Sequence, residues 1–404
     1  MKLPSSFDCV VVGGGPAGAT AAEDLARKGY SVLMLDKGGR IKPCGGAVPP
    51  RLISDFAIPD ALIVARVKAA RMVAPSQVRV DMPIEGGYVG MVDRDVFDEW
   101  LRDRAQAAGV VRQAGTFRTL ERDPDGCAVI TFVGKSDVPG GKPQGLQRVR
   151  ARCVIGADGA LSEVAKQALP NERPPPFVFA YHEIIQSPVK GGATDFNGER
   201  CDVYYQGPVS PDFYGWVFPH GDKTSVGTGS ARKGFSLRGS VKELRAASGL
   251  ADCETLRCEG APIPLKPRRK WDNGRDVVLA GDAAGVVAPA SGEGIYYAMA
   301  SARMSASAAD RFLATGNPRA LAQARASFMR AHGRVFWVLG LLQYFWYHSD
   351  KRRERFVAMC RDPDVQRLTF EAYMNKELVR RQPLAHAKIF FKDVAHLLRL
   401  VPPT

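Results

Sequence analysis

A glycine-rich turn directly behind an apolar run is the first feature of this chain that could do chemistry. Residues 9–12 are apolar, and Gly13, Gly14, Gly15, Pro16, Ala17 and Gly18 follow them. We expect a strand, a tight turn and a helix start, because glycines let the backbone turn, approach a phosphate and pack closely. Since a helix N-terminus offers free amides and positive partial charge, the pattern predicts a cradle for a dinucleotide pyrophosphate.

An acidic residue completes this unit. Asp36 ends a second predicted strand, residues 32–35, and Lys37 follows it. A carboxylate placed about 20 residues after the glycines can accept both hydrogen bonds of an adenosine ribose. The glycine pattern taken alone also fits an ordinary strand-to-helix turn, so the cofactor depends on motifs farther along the chain.

Two later motifs contain an aspartate beside glycine. Asp158 precedes Gly159 after an apolar run, and Asp282 follows Gly281 after another. Gly292, Glu293 and Gly294 then precede a predicted alanine-rich helix that begins at about Ile295. Asp282 also fits a helix N-cap and Asp158 a turn-forming residue, so neither motif taken alone identifies a cofactor.

The three motifs together resemble the flavoprotein family of aromatic hydroxylases and geranylgeranyl reductases. The resemblance implies an α/β fold: a glutathione-reductase-type, Rossmann-like FAD domain with an inserted antiparallel sheet, as in p-hydroxybenzoate hydroxylase, and a C-terminal helical region. It also implies that Asp282 lies at the ribityl or pyrophosphate region, that the helix at Ile295 points its N-terminus at the flavin pyrimidine, and that Arg94 lies near the flavin. An exposed first-turn arginine is the alternative for Arg94. A helix N-terminus stabilises the anionic reduced flavin by a few tenths to about 2 kcal/mol.

The expected organisation is interleaved. We predict a discontinuous FAD-binding domain over residues 1–70, 88–172 and 266–330. A substrate-binding sheet domain is predicted over residues 71–87 and 173–265, and a helical, membrane-facing region over residues 331–404. A Gly/Pro-rich surface loop is predicted at residues 134–147.

Two further segments resemble the geranylgeranyl reductases specifically. Cys44, Gly45 and Gly46 follow the ribose-binding strand, where paired glycines allow close backbone approach to the flavin. Tyr214, Trp216 and Phe218 alternate along a predicted strand, so their rings share one face, either as a core face or as the family's aromatic wall along the isoprenoid. Residues 343–356 and 364–369 resemble the chlorophyll and bacteriochlorophyll branch of the family.

The resemblance implies saturation of three double bonds of a geranylgeranyl chain, carried as the diphosphate or on (bacterio)chlorophyll, to give phytyl. Electrons would come from transiently bound NADPH or from reduced ferredoxin, because the chain holds no second glycine fingerprint. An isolated alkene needs a proton as well as a hydride, and Cys44 is the candidate acid beside a positioned water or a purely steric role. The alternatives are a flavin monooxygenase of this fold and a non-catalytic prenyl-binding protein.

Charge and aromatic content suggest a membrane surface. The formal net charge is +14, and residues 335–347 are rich in aromatic side chains with basic residues on both sides. Thirteen residues are too few to span a bilayer, which needs about 20, so we expect either a buried helix or a helix at headgroup depth on an anionic membrane. Scattered cysteines predict no metal site, and dispersed basic residues predict no nucleic-acid partner. A cytoplasmic protein, peripheral on the photosynthetic membrane, is expected.

Overall fold

A computed structural model describes residues 3–38, 41–42, 44–135, 145–188 and 195–376. Pro43, most of the predicted loop 134–147 and the end of the predicted C-terminal region therefore lie outside the described residues. Contacts between Cα atoms divide the chain into two compact units. Unit 1 comprises residues 1–41, 95–177 and 262–336, and unit 2 comprises residues 42–94, 178–261 and 337–404.

The described residues form strands and helices in the following order. The strands are β1 (Ser6–Val12), β2 (Val32–Asp36), β3 (Ala47–Val48), β4 (Ala65–Val67), β5 (Ala69–Val73), β6 (Arg79–Pro83), β7 (Val89–Met91), β8 (Val111–Arg122), β9 (Ala128–Gly134), β10 (Leu146–Gly156), β11 (Phe177–Gln186), β12 (Arg200–Tyr204), β13 (Gly215–His220), β14 (Lys223–Ser230), β15 (Thr255–Pro264) and β16 (Val277–Leu279). The α-helices are α1 (Pro16–Ala26), α2 (Pro50–Asp55), α3 (Arg94–Ala107), α4 (Glu163–Ala168), α5 (Leu237–Ala247), α6 (Ile295–Thr315), α7 (Gln323–Trp346), α8 (Asp350–Met359) and α9 (Pro363–Asn375), and short 3₁₀ turns lie at Asp60–Leu62, Gly281–Ala284 and Pro318–Ala320.

Unit 1 is built on a parallel sheet. β8, β2, β1, β10 and β16 are neighbours in that order and run parallel, while β9 joins β8 and β10 in antiparallel fashion. The central strands are continuous apolar runs because both faces of a parallel sheet are buried, and α1 packs against α6. This arrangement confirms the predicted α/β class.

Unit 2 contains a seven-stranded sheet in the order β15-β11-β14-β13-β12-β5-β6 and a small sheet β3-β7-β4. Side chains alternate between the two faces of β13. Val217 packs in a buried apolar cluster with Val226 of β14 and with Val241 and Leu244 of α5. Trp216, Phe218 and His220 therefore share the opposite face. Residues 42–70, which we grouped with the cofactor domain, lie in unit 2 together with residues 337–376.

Candidate functional site

The glycine turn of unit 1 leaves open space at the N-terminus of α1. Gly13 has φ +110°, and a Cβ on Gly18 would lie 1.7 Å from the Gly13 carbonyl oxygen, so both positions require glycine for the turn and the helix packing. Gly15 differs, because a Cβ there would meet nothing within 4 Å. No side chain caps α1 at Gly15, and Pro16 is the first helical residue. The first amides of a helix have no partner within the helix, and such amides beside open space suit a phosphate, so the turn fits a pyrophosphate.

Asp36 lies at the end of β2, beside the glycine turn. A Cβ on Gly14 would lie 2.7 Å from the Asp36 Cβ, so the carboxylate reaches its place only because Gly14 has no side chain. The Arg102 guanidinium lies 3.5 Å from Asp36 Oδ2 and donates to the Gly14 carbonyl at 3.2 Å. Nothing in the sequence pattern singles out Arg102, which is far from Asp36 along the chain. Lys37, the other predicted residue here, is exposed.

Arg102 belongs to a charged cluster on α3 and β8. It donates to Glu99 at 2.6 Å, and Arg112 donates to the same carboxylate at 3.1 Å. Hydrogen bonds from Arg112 and Arg102, with their positive charge, lower the pKa of Glu99 to about 2. This cluster holds α3 against β8 beside the predicted ribose site.

The structure brings the three predicted motifs of unit 1 together. A Cβ on Gly13 would lie 2.3 Å from the Ala157 carbonyl oxygen, which places the Asp158 motif against the first turn. A Cβ on Gly281 would lie 2.7 Å from the Ala17 Cβ, so the Asp282 motif contacts the start of α1.

The N-terminus of α6 lies at the same place. Gly294 caps the helix, and a Cβ on it would lie 3.8 Å from Asp282 Oδ1. Asp282 is buried in the 3₁₀ turn that begins at Gly281, and Ile295, the first residue of α6, is also buried. Gly292 adopts φ +64° in the turn before α6. The Asp282 carboxylate and the start of α6 therefore border the cradle as one local structure.

The Asp158 carboxylate has a structural role. Its Oδ2 accepts hydrogen bonds from the amides of Glu163 at 2.7 Å and Val164 at 3.1 Å, and Ser162 donates to its Oδ1. Burial raises the pKa of Asp158, and these hydrogen bonds oppose that rise. Asp158 thus anchors the start of α4, which is the turn-forming alternative considered above. A role for it at the cofactor stays a prediction.

In unit 2 the loop formed by Cys44, Gly45 and Gly46, here called the Cys44 loop, packs on β13. A Cβ on Gly45 would lie 2.8 Å from Phe218 Cδ2, and a Cβ on Gly46 would lie 2.3 Å from His220 Cε1. Cys44 is half-buried, and its Sγ accepts a hydrogen bond from the Gly46 amide at 3.4 Å. Two segments that the sequence singled out separately are therefore one structural site.

The aromatic wall is continuous. The ring centroids of Tyr214 and Trp216 are 6.1 Å apart, and those of Trp216 and Phe218 are 6.3 Å apart. The indole of Trp216 lies over Gly227, where a Cβ would come within 2.2 Å of the ring, and its Nε1 donates to Ser225 Oγ at 3.0 Å. The orientation of the Trp216 side chain is therefore set by both a hydrogen bond and close packing against β14.

His220 is the next residue after Phe218 on the same face of β13, so it extends this wall. It is 4% exposed, and its ring lies between Asp93 and the Gly45 carbonyl. The carboxylate oxygens of Asp93 lie next to His220 and Lys223. Period-two alternation along β13 could have identified His220, but its contacts could not be read from the chain. Arg94 is 6% exposed, so the alternative of an exposed arginine is wrong.

The aromatic C-terminal segment divides into a buried and an exposed part. Trp346 and Tyr347 are buried, and Tyr347 packs against Tyr205 with ring centroids 5.5 Å apart. Trp337 and Tyr344, two helical turns apart on α7, are each 69% exposed. No helix within the described ranges is both long and apolar enough to cross a membrane.

Comparisons with known proteins identify a domain family and close full-length relatives. Residues 11–50 match the family of NAD(P)-binding Rossmann-like domains. The chain is 56% identical over 397 residues to a geranylgeranyl diphosphate reductase of Rhodobacter capsulatus, covering 98% of this chain and 99% of that protein. It is 38% identical over 416 residues to a chloroplastic geranylgeranyl diphosphate reductase of Oryza sativa subsp. japonica, covering 98% and 88%.

A solved structure shows the same fold. A geranylgeranyl bacteriochlorophyll reductase-like protein of Thermoplasma acidophilum superposes with a TM-score of 0.79 at 22% identity, covering 94% of this chain and 99% of that one.

Proposed function

The chain belongs to the geranylgeranyl diphosphate reductase family, and from that premise we propose that it is an FAD-dependent reductase of isoprenoid double bonds. The substrate is a geranylgeranyl chain, as the diphosphate or esterified to (bacterio)chlorophyll, and three of its four double bonds are saturated to give phytyl. The packing of the Cys44 loop on the aromatic wall carries this proposal, because it brings a thiol and a continuous row of aromatic rings together in one unit.

The residues of unit 1 fit FAD. The open space at Gly15 and the uncapped start of α1 would hold the pyrophosphate, and Asp36 would hold the ribose. Asp282 would lie at the ribityl or pyrophosphate region, and the N-terminus of α6 would face the flavin pyrimidine. Reduced flavin supplies a hydride when bound, and NADPH or reduced ferredoxin is the proposed electron source.

Each saturated bond takes up one hydride and one proton. An isolated trisubstituted alkene cannot accept hydride alone, because the carbanion would have no electron sink. A proton must add to the less substituted carbon, which leaves positive charge on the tertiary carbon. The faces of Tyr214, Trp216 and Phe218 stabilise such a cation by about 0.5–2 kcal/mol for each suitable ring and exclude water from it.

Cys44 Sγ is the proposed proton donor, beside a positioned water or a purely steric role. Its thiol is oriented by the Gly46 amide, and the paired glycines let the chain pass close to the rings of Phe218 and His220. Replacing Cys44 with Ala tests this role, and replacing the exposed Cys258 with Ala is the matched control. Undiminished alkene reduction by Cys44→Ala, with flavin reduction intact, would remove the thiol from the mechanism.

The reaction itself is tested anaerobically. Dithionite-reduced protein is mixed with geranylgeranyl diphosphate or geranylgeranyl-bacteriochlorophyll, and products heavier by about two, four and six mass units are sought by mass spectrometry. Absence of any mass gain with both substrates contradicts the proposal. Substrate-dependent oxygen consumption in air would indicate a monooxygenase, and a purified protein without flavin would indicate a prenyl carrier.

We also propose that the protein binds peripherally to an anionic membrane surface, where a pigment-linked substrate resides. Exposed Trp337 and Tyr344 lie two turns apart on α7, a spacing that places them on one side of the helix. Arg334 and Lys351 are exposed near the two ends of this aromatic stretch. Amphipathic rings with flanking cations are the pattern of interfacial helices on anionic lipid.

A further inference from the structure

His220 is buried between two hydrogen-bond acceptors. Its Nδ1 lies 2.9 Å from Asp93 Oδ1, and its Nε2 lies 3.1 Å from the Gly45 carbonyl oxygen. Lys223 donates to the other oxygen of Asp93 at 3.3 Å. The histidine thus links the carboxylate after β7 to the backbone of the Cys44 loop.

The loop is held on His220 by shape as well as by this bond. Gly46 adopts φ +72°, and a Cβ there would lie 2.3 Å from the ring of His220 and 2.6 Å from the Val92 carbonyl oxygen. The Val92 amide donates to the Gly46 carbonyl at 2.9 Å, which continues the pairing of β3 with β7. The backbone conformation of the Cys44 loop is therefore determined by its contacts with the His220 ring and with Val92, and it requires glycine at position 46.

The Nε2 of His220 donates to the Gly45 carbonyl. A carbonyl oxygen can only accept a hydrogen bond, and the same holds for an ionised carboxylate. Burial raises the pKa of Asp93, but the hydrogen bonds and charges of His220 and Lys223 outweigh it and lower that pKa below its ordinary value. The Asp93 carboxyl is therefore ionised, and hydrogen bonds to an ionised carboxylate are stronger than those to a neutral acceptor, so Asp93 holds the ring firmly in this orientation.

We infer that His220, oriented by Asp93, is a positioning residue that clamps the Gly45–Gly46 backbone and thereby sets the place of the Cys44 thiol. The catalytic meaning of this clamp rests on the proposed function, whereas the clamp itself is a property of unit 2. A leucine at position 220 fills space but donates nothing. A glutamine can still donate to the Gly45 carbonyl.

Hydrogen exchange with mass spectrometry tests the clamp without any turnover. In His220→Leu, peptides covering residues 44–48 and the Val92 amide should exchange at least about tenfold faster than in the wild type, because the loop opens more often. In His220→Gln, the exchange should return to within about threefold of the wild type. Lys223→Gln, which leaves both bonds of His220 in place, is the matched control and should not accelerate these peptides.

Three outcomes would overturn the inference: unchanged loop exchange in His220→Leu, no rescue by His220→Gln, or equal acceleration of peptides from β11. If His220→Leu does not fold, Asp93→Asn serves instead and should accelerate the same peptides selectively. Where reductase activity is present, His220→Leu should lower kcat with KM and flavin absorbance unchanged. Faster exchange of residues 44–48 alone, in a protein that shows no reductase activity, would support the clamp and refute the proposed function. The clamp and the proposed function can therefore be refuted separately.

Discussion

Replacing Gly15 with Ala should separate cofactor binding from folding. Gly15 has φ −75° and ψ −175°, a backbone conformation that alanine adopts, and its Cβ would meet no protein atom within 4 Å. Alanine reduces the entropy of the unfolded chain, which stabilises the fold by about 0.4–1 kcal/mol. It is also a poorer N-cap than glycine, which offsets that gain. The free energy of unfolding of the apoprotein should therefore change by less than about 1 kcal/mol.

The same methyl group should weaken FAD binding. It enters the space beside the first amides of α1, where a phosphate oxygen must come within about 2.9 Å to be hydrogen-bonded. Two bonds to a charged group, at about 1.5 kcal/mol each, amount to about 3 kcal/mol. That loss corresponds to an affinity for FAD weaker by about 100-fold.

Two measurements on flavin-free protein check this prediction: urea unfolding and titration with FAD followed by flavin fluorescence. Gly18→Ala is the matched control, because its Cβ would lie 1.7 Å from the Gly13 carbonyl oxygen and must disturb folding itself. Wild-type affinity in Gly15→Ala would refute the placement of the pyrophosphate. Destabilisation of Gly15→Ala by several kcal/mol would refute the open space at the cradle.

Further predictions concern the wall, acid stability and the membrane. Ser225→Ala should cost about 1–3 kcal/mol in urea unfolding, because it leaves the buried indole N–H of Trp216 without its acceptor and removes the hydroxyl partner of His182 Nδ1, and partly reduced products should accumulate. Glu99 has a pKa of about 2 when folded and about 4.3 when unfolded, so its stabilisation is present above about pH 4.3 and lost as the pH falls towards 2. Glu99→Gln should flatten that part of the unfolding profile. Replacing exposed Trp337 and Tyr344 with Glu should weaken sedimentation with phosphatidylglycerol vesicles at least about tenfold and leave flavin binding unchanged.

Each of these has a result that would contradict it. A Ser225→Ala protein with unchanged stability would show that the indole bond is dispensable. An unaltered acid profile in Glu99→Gln would show that Arg102 and Arg112 do not act through this carboxylate. Equal binding of wild type and variant to anionic vesicles, or equal binding of the wild type to neutral ones, would remove α7 from the membrane contact.

Much of unit 1 could be predicted from the apolar runs and glycine positions of short sequence segments. Apolar runs of four or five residues mark β1 and β2, and Gly13 and Gly18 mark the turn and helix between them. These features are encoded locally, because a positive φ or a missing Cβ is a property of one residue. The clustering of the three motifs was expected only through the family resemblance.

Side-chain partners could not be predicted in the same way. Asp158 matches the family motif, yet its carboxylate binds the start of α4. Aromatic residues of one sequence segment separate into buried Trp346, which packs against Phe356 of α8, and exposed Trp337. The composition of this segment and the spacing of its aromatic residues do not distinguish the side chains that become buried from those that stay exposed.

The sequence by itself determined the class of fold, the dinucleotide cradle and the one-sided aromatic strand, because backbone conformation and side-chain alternation follow from residues close together in the chain. Only the tertiary structure decided which polar group meets which. His220 is 127 residues from Asp93 and 175 from Gly45, and the register of β13 with its neighbours brings them together. A one-residue shift of that register would turn His220 to the opposite face, which no local pattern can foresee.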